Sequence, residues 1–260
     1  MKFVVQKEVF DKIEDLYIGV VVAKGVDNSK EYKDIDKMLE ESMANAKKEF
    51  LDVKAKEDPR VIPYREGFQK VGINPNKFQC SVEAMVNSIS KGRDVPHINP
   101  LVNLNNAISL KYTLPMGTHN LGLSDSDVEL RFAVDEDSFT PMGSDEPEKL
   151  EENELVYVVD HKVRTRRWAW RQSREGMIDK DTEYVFFPID GFKGFNDGKV
   201  NEAMKELEEV LKKEFNCETR SGFVDKDHLE FEWDLWKALA FYFLVKIWYS
   251  NYRRQYEKLN

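Results

Sequence analysis

Val95-Pro96-His97-Ile98-Asn99-Pro100-Leu101-Val102-Asn103-Leu104-Asn105-Asn106-Ala107-Ile108-Ser109-Leu110 runs directly into Lys111-Tyr112-Thr113-Leu114-Pro115-Met116-Gly117-Thr118-His119-Asn120. The pattern predicts loop, helix, loop. Pro96 and Pro100 push the residues before them out of helical geometry. Leu101, Leu104, Ile108 and Tyr112 recur at a helical spacing, so one side can be buried. The polar content is unusual. Asn99, Asn103, Asn105 and Asn106 crowd the segment, and asparagine is a mediocre helix former. Amides that go inside need partners. The exit through Pro115 to Asn120 places small and polar groups where a backbone can approach a ligand closely.

Outward from this stretch, the preceding chain reads as two strands and three helices. Phe3 to Val5 and Tyr17 to Val22 are rich in β-branched and aromatic residues. A helix is expected from Glu31 to Val53, capped by Ser29, with Ile35, Leu39, Ala46 and Phe50 on its apolar side. Asp58-Pro59 opens a second helix, which Gly72 ends. Lys77 to Ser90 forms a third. Glu83 sits among its apolar residues and is expected at the surface, paired with Lys91 or Arg93. The other reading turns it toward the asparagine-rich helix.

The following chain turns to β. Val128 to Val134 alternates with period two, and Leu155 to Val159 is a continuous apolar run suited to a central strand. Thr182 to Ile189 is a further strand, and Val200 to Phe215 a helix. Gly191, Gly194 and Gly198 do not join a strand to a helix in a dinucleotide-binding spacing. The order is neither βαβ alternation nor all-β. It gives an α+β fold, a mixed or antiparallel sheet flanked by helices.

A concentrated basic segment runs from His161 to Arg174 and interleaves Arg166, Arg167 and Arg171 with Trp168 and Trp170. Two readings stand side by side. Arginine forks grip phosphates and tryptophans stack on bases, as single-stranded RNA recognition requires. Alternatively the arginines pair with the acidic run at Asp145 to Glu154 while the tryptophans fill the core.

The whole chain has 260 residues and a net charge of -9, which argues against indiscriminate binding to nucleic acid. Cys80 and Cys217 show no metal-ligand spacing, and reduced thiols in a cytoplasmic protein are the simplest reading. No spacing of His97, His119, His161 and His228 suggests zinc, and no cofactor is expected. Trp233 to Tyr252 is densely apolar, but Asp234, Lys237 and Lys246 interrupt it. It reads as an extra buried or subunit-bridging helix, a route to a homo-oligomer, rather than a membrane span. The expected organisation is residues 1–225 as one domain and 226–260 as this C-terminal packing element.

Tyr64-Arg65, Gly72-Ile73-Asn74-Pro75, Ser81-Val82-Glu83-Ala84, Ile98 to Asn103 and Pro115-Met116-Gly117 together resemble the B3/B4 domain of the phenylalanyl-tRNA synthetase beta subunit. The likeness is closer to free-standing B3/B4 proteins, whose motif the run Arg166 to Ser173 resembles. It covers roughly residues 1 to 215. In the synthetase, this domain hydrolyses tRNA wrongly charged with tyrosine. The resemblance therefore implies tRNA or aminoacyl-tRNA as partner and ester hydrolysis in trans as an activity.

Such a site binds the 3′ end, orients a water and stabilises an oxyanion. His119, Asn103, Asn120 and Thr118 are the expected catalytic set, with His119 as the residue that orients the water. Asn99, Met116, Gly117, Glu83 and Arg65 would bind substrate. Arg166, Arg167, Trp168, Trp170 and Arg171 would contact RNA or shape the pocket. The sequence departs from the synthetase at Gly117, where that domain has histidine, and at Asn103 and Asn120, where it has aspartate. Met177 falls near its late glutamate. These departures favour the alternative, a non-catalytic binding module for tRNA, an amino acid or another small ligand.

Overall fold

The computed structural model describes residues 1–122 and 124–233. Its elements in order are β1 (Lys2–Val5), α1 (Lys7–Phe10), β2 (Leu16–Lys24), α2 (Lys33–Glu49), α3 (Ile62–Lys70), α4 (Ser81–Ser90), α5 (Pro100–Tyr112), β3 (His119–Asn120) and β4 (Val128–Phe132). There follow β5 (Leu155–Val159), β6 (Lys162–Arg166), β7 (Arg171–Gln172), β8 (Tyr184–Phe192), α6 (Asp197–Val210), β9 (Glu218–Val224) and β10 (Glu230–Glu232).

The fold is α+β, with two sheets where the sequence suggested one. A six-stranded sheet has the order β10-β1-β4-β5-β6-β7, and a four-stranded sheet the order β3-β8-β2-β9. Only β1 and β4 pair in parallel; the other neighbours are antiparallel. The sheets pack face to face. Ile18, Val20 and Val22 of β2 and Phe186 of β8 meet Phe3, Leu130, Leu155, Tyr157 and Trp168 in one core. The alternate residues Tyr17, Val21, Val185, Phe187 and Ile189 face the other way, onto Leu101, Leu104 and Ile108 of α5 and Val200 and Leu207 of α6. β2 and β8 are thus covered on both faces, which is why each is apolar nearly throughout. Leu39, Phe50, Val86, Ile89 and Leu110 form a third core beneath α2, α4 and α5.

α5 is the hub of the helical layer. Asn99 caps it by accepting from Val102 N at 3.1 Å, and Pro100 follows in the first turn. Thr113 ends it in the left-handed region at φ 55°. α2 begins at Lys33 with Tyr32 at its N-cap position, in place of the expected Ser29, and no side chain caps it. α3 starts at Ile62, three residues past Pro59. β8 continues to Phe192 with Pro188 inside it. The helix expected from Val200 to Phe215 ends as a π-helical turn over Leu211–Phe215.

β9 and β10 alternate or mix polar residues and carry no strong strand signal. β10 lies beyond residue 225, yet it pairs with β1 in the six-stranded sheet. The apolar helix expected over Trp233 to Tyr252 lies, past its first residue, outside the described residues. Among the described residues, no helix is long and apolar enough to cross a membrane. Cys80 and Cys217 are both free thiols.

α6 crosses β2 at Gly19. A Cβ there would stand 2.5 Å from Val200 Cγ1 and 2.8 Å from Met204 Sδ. Gly19→Ala is expected to cost about 1–3 kcal/mol through overpacking. Urea unfolding of the variant against wild type measures this.

Candidate functional site

Between the two sheets, at the end covered by α4 and α5, lies a cavity of about 180 Å3. α5 supplies Val102, Asn105 and Asn106; the segment before and into β3 supplies Met116, Gly117, Thr118 and His119. The opposite wall is Trp168, Ala169, Trp170 and Gln172, and the floor includes Tyr157, Thr165, Pro188 and Asp190. Ser81 closes it from the first turn of α4, its N–H donating to Ala169 O at 2.9 Å. A liquid water occupies about 30 Å3, so this space suits a group of amino-acid size rather than a nucleotide.

The tryptophan wall hangs on a strained turn. Arg167 and Trp168 both adopt left-handed backbone, at φ 50° and 57°. Each such L-residue costs about 1–2 kcal/mol. Burial of Trp168, fully removed from solvent, offsets this. Its ring edge meets Gly67 of α3, where a Cβ would lie 2.8 Å from Trp168 Cζ3. The Arg167 guanidinium sits 4.0 Å from the Phe78 ring centroid and 4.9 Å from that of Trp170, and so fixes the half-buried Trp170 at the cavity.

Three titratable groups line the space: Asp190, His119 and Tyr157, whose hydroxyl burial holds well above its ordinary range. Trp168 Nε1 and Tyr157 OH both donate to Asp190 Oδ1 at 2.7 Å, and neither reaches Oδ2. Asp190 is fully enclosed. Burial pushes its carboxyl up to about 6, against the pull of those two donors. His119 is 1% exposed, stacks on Phe186 and meets Tyr157 edge-on. Burial, and then the neighbouring Arg164 charge, push it down to about 3, so its ring is neutral. Its Nε2 lies 2.8 Å from Thr165 Oγ1. Three buried polar atoms on the lining residues have no partner among the described residues: Ser81 Oγ, Asn105 Oδ1 and His119 Nδ1.

A family model described as the B3/4 domain matches residues 63–213, more than half of the chain. The chain belongs to the B3/4 domain family. Among solved structures, an N-terminal fragment of the phenylalanyl-tRNA synthetase beta-subunit from Pyrococcus horikoshii is similar at 12% identity, with a TM-score of 0.46. The likeness covers 84% of this chain and 49% of that one, so the chain spans about half the fragment's length. No curated protein matches the chain.

Within this B3/4 fold, the residues singled out from sequence divide into two groups. His119, Thr118, Met116, Gly117, Trp168 and Trp170 line the cavity. A side chain at Gly117 would press on Pro188 Cγ at 3.0 Å and His119 Nε2 at 3.2 Å, so glycine here and histidine two residues on go together.

The other three asparagines are fastened elsewhere. Asn103 donates to Asp36 Oδ1 at 2.9 Å and accepts from Ile98 N. Asn99 is the α5 cap. Asn120 donates to Thr182 Oγ1 at 3.1 Å, accepts from Gly122 N, and borders a separate hollow of about 650 Å3.

Glu83 corrects the surface expectation. It is fully buried, and Arg65 Nη1 donates to its Oε1 at 2.6 Å. Glu83 follows the buried Val82 and precedes Val86 by one turn, so it falls on the inward stripe of α4. Neither Glu83 nor Arg65 lines the cavity.

The basic segment takes the second of its two readings. Arg166 grips Glu154 with two bonds of 2.8 and 2.9 Å, and Glu148 with a third of 2.8 Å. Arg167 Nη2 donates to Glu151 at 2.8 Å. Both guanidiniums are buried and occupied. Arg171 has 43% of its side chain exposed, which leaves it the arginine of the three open to solvent.

Sequence reasoning missed Ser81, Asn105, Asn106, Tyr157, Thr165, Gln172 and Asp190. Asn105 and Asn106 stood in the quoted stretch, but choosing among its asparagines required the helix phase. Two residues along a helix is more than half a turn.

Proposed function

We propose that the cavity receives an amino-acid group carried on the 3′ end of a tRNA, and that the chain is a binding protein for aminoacyl-tRNA. The observation that carries this is the set of unpartnered buried atoms, Ser81 Oγ, Asn105 Oδ1 and His119 Nδ1, around a space of amino-acid size. Buried polar groups left unpaired are costly, and a ligand bearing complementary groups removes that cost. Membership of the B3/4 family and the resemblance to the synthetase domain support the aminoacyl ester as the form of the ligand. Trp170 at the cavity and the exposed Arg171 beside it are the groups available to a terminal nucleotide.

Hydrolysis of the bound ester is the second reading, favoured by the His119–Thr165 pair inside the cavity. The ester is already activated, so a positioned water would suffice. A histidine sunk to about 3 is a weak base, which favours binding over turnover.

The test uses tRNAs charged with alanine, serine, tyrosine or phenylalanine, each against its uncharged form. At least one charged tRNA is expected to bind about tenfold tighter or more, the ratio worth one charge-assisted contact. Ester loss at the buffer rate establishes a binder; loss that is faster and abolished by His119→Gln establishes a hydrolase. Equal binding of every charged and uncharged pair would remove the amino-acid group from the account.

A further inference from the structure

The cavity has a charge imbalance that its hydrogen bonds do not resolve. None of its lining residues is a lysine or an arginine. Its one carboxylate, Asp190, accepts only from neutral donors, the Trp168 indole and the Tyr157 hydroxyl, and both bonds fall on Oδ1. The backbone around Asp190 is fully engaged: its N–H donates to Pro115 O at 3.0 Å and its carbonyl accepts from Tyr64 OH at 2.9 Å. The carboxylate is therefore held rigidly, with Oδ2 unpartnered among the described residues.

Arg166 and Arg167 are held by the acidic run, while Arg164 gives one bond to Glu175 O, keeps an Nε unpartnered among the described residues and acts with its charge on His119, not on Asp190. A buried carboxylate without a cation is an expensive arrangement in a stable protein.

Resting on the aminoacyl reading above, we propose that Asp190 is the residue that selects ligands by a free primary ammonium group. Oδ2 takes one ammonium N–H, and the unpartnered Asn105 Oδ1 and Ser81 Oγ on the same cavity are acceptors for the other two. Burial raises the Asp190 carboxyl, and an ammonium placed against Oδ2 favours its charged form, so the pair forms as counter-ions. The selected class is then α-amino acids and their esters with an unblocked amine. N-acylated and N-formylated forms lose both the charge and the donors, and they are rejected. This goes beyond amino-acid size: it makes the α-amine, not the side chain, the first element read.

The probe is a non-hydrolysable conjugate, 3′-aminoacylamido-3′-deoxyadenosine, made with alanine, serine or tyrosine, each with its amine free or acetylated. Binding to the full chain is measured by calorimetry at neutral pH. Acetylation is expected to weaken binding about 30-fold or more, the worth of a hydrogen-bonded charge. Asp190→Asn keeps an acceptor for Trp168 and Tyr157. It is expected to weaken the free-amine conjugate by a similar factor and leave the acetylated one nearly unchanged.

Equal affinity for free and acetylated conjugates on wild-type protein overturns the proposal while leaving the aminoacyl reading intact, and so does an unchanged free-to-acetylated ratio in Asp190→Asn. Failure of every conjugate, in either form, to bind wild-type protein overturns both. The free-to-acetylated comparison needs no variant, so it decides the matter even if Asp190→Asn does not fold.

Discussion

Arg166→Met is expected to lower the unfolding free energy by about 3 kcal/mol or more, because it strands a buried charge. Glu154 is 5% exposed, and the Arg166 fork grips both of its oxygens. With the fork gone, Glu154 keeps the Glu151 N–H at 3.3 Å and, as its nearest cation, Arg167 at 3.4 Å. Arg166→Met/Glu154→Leu removes both charges and should recover most of the loss, since an apolar pair of similar volume replaces a buried ion pair at little cost. Arg167 would still hold Glu151.

Arg171→Ala provides the contrast. Its side chain is exposed, and its ion pair with Glu148 is at the 4.0 Å limit, so stability should stay within about 0.5 kcal/mol. Urea unfolding of the four proteins measures all of this. An Arg166 variant as stable as wild type would return that arginine to the pool of groups free for a ligand.

Acid should act on two groups in opposite directions. His119 stands at about 3 in the folded chain against an ordinary 6.5. Below pH 6.5 the unfolded chain binds a proton that the folded chain refuses, so its contribution is full above 6.5 and lost as pH falls. Asp190 stands at about 6 against an ordinary 3.8. Below 6 the folded chain binds a proton before the unfolded one does, so its contribution grows as pH falls and is lost as pH rises through 6.

Between pH 7 and 4 His119 is worth about 3 kcal/mol and Asp190 about 2 kcal/mol in the opposite direction, so the two largely offset each other. His119→Gln should therefore gain about 3 kcal/mol relative to wild type on going from pH 7 to 4, and Asp190→Asn should lose about 2 kcal/mol. Denaturant melts at the two pH values give both differences. Variants whose pH dependence parallels wild type would show that neither group is enclosed as described.

How far the sequence revealed this molecule differs by element. Leu155 to Val159 and the two long apolar strands were legible because burial on both faces writes a continuous hydrophobic run. Glu218–Val224 and Glu230–Glu232 were not, because edge strands keep polar residues and owe their pairing to partners far away in the chain. At the site, the segment from Met116 to His119 and the tryptophan pair do meet across one cavity.

Asp190 was invisible beforehand. In Phe-Phe-Pro-Ile-Asp-Gly-Phe an aspartate before glycine reads as a surface turn. Its burial depends on side chains 22 and 33 positions away. The arginines were ambiguous through composition: a basic run in an acidic chain suits a ligand surface or its own acidic neighbours equally until those neighbours are placed against it.

The most direct measurement is a crystal structure of the full chain with the free-amine aminoacylamido-deoxyadenosine bound. The aminoacyl group should lie between Asn105 and Trp170, with its nitrogen within hydrogen-bonding distance of Asp190 Oδ2 and the adenosine outside against Trp170 and Arg171. Density for the conjugate in the hollow beside Asn120 and Asp181, with the inter-sheet cavity unchanged, would contradict the account.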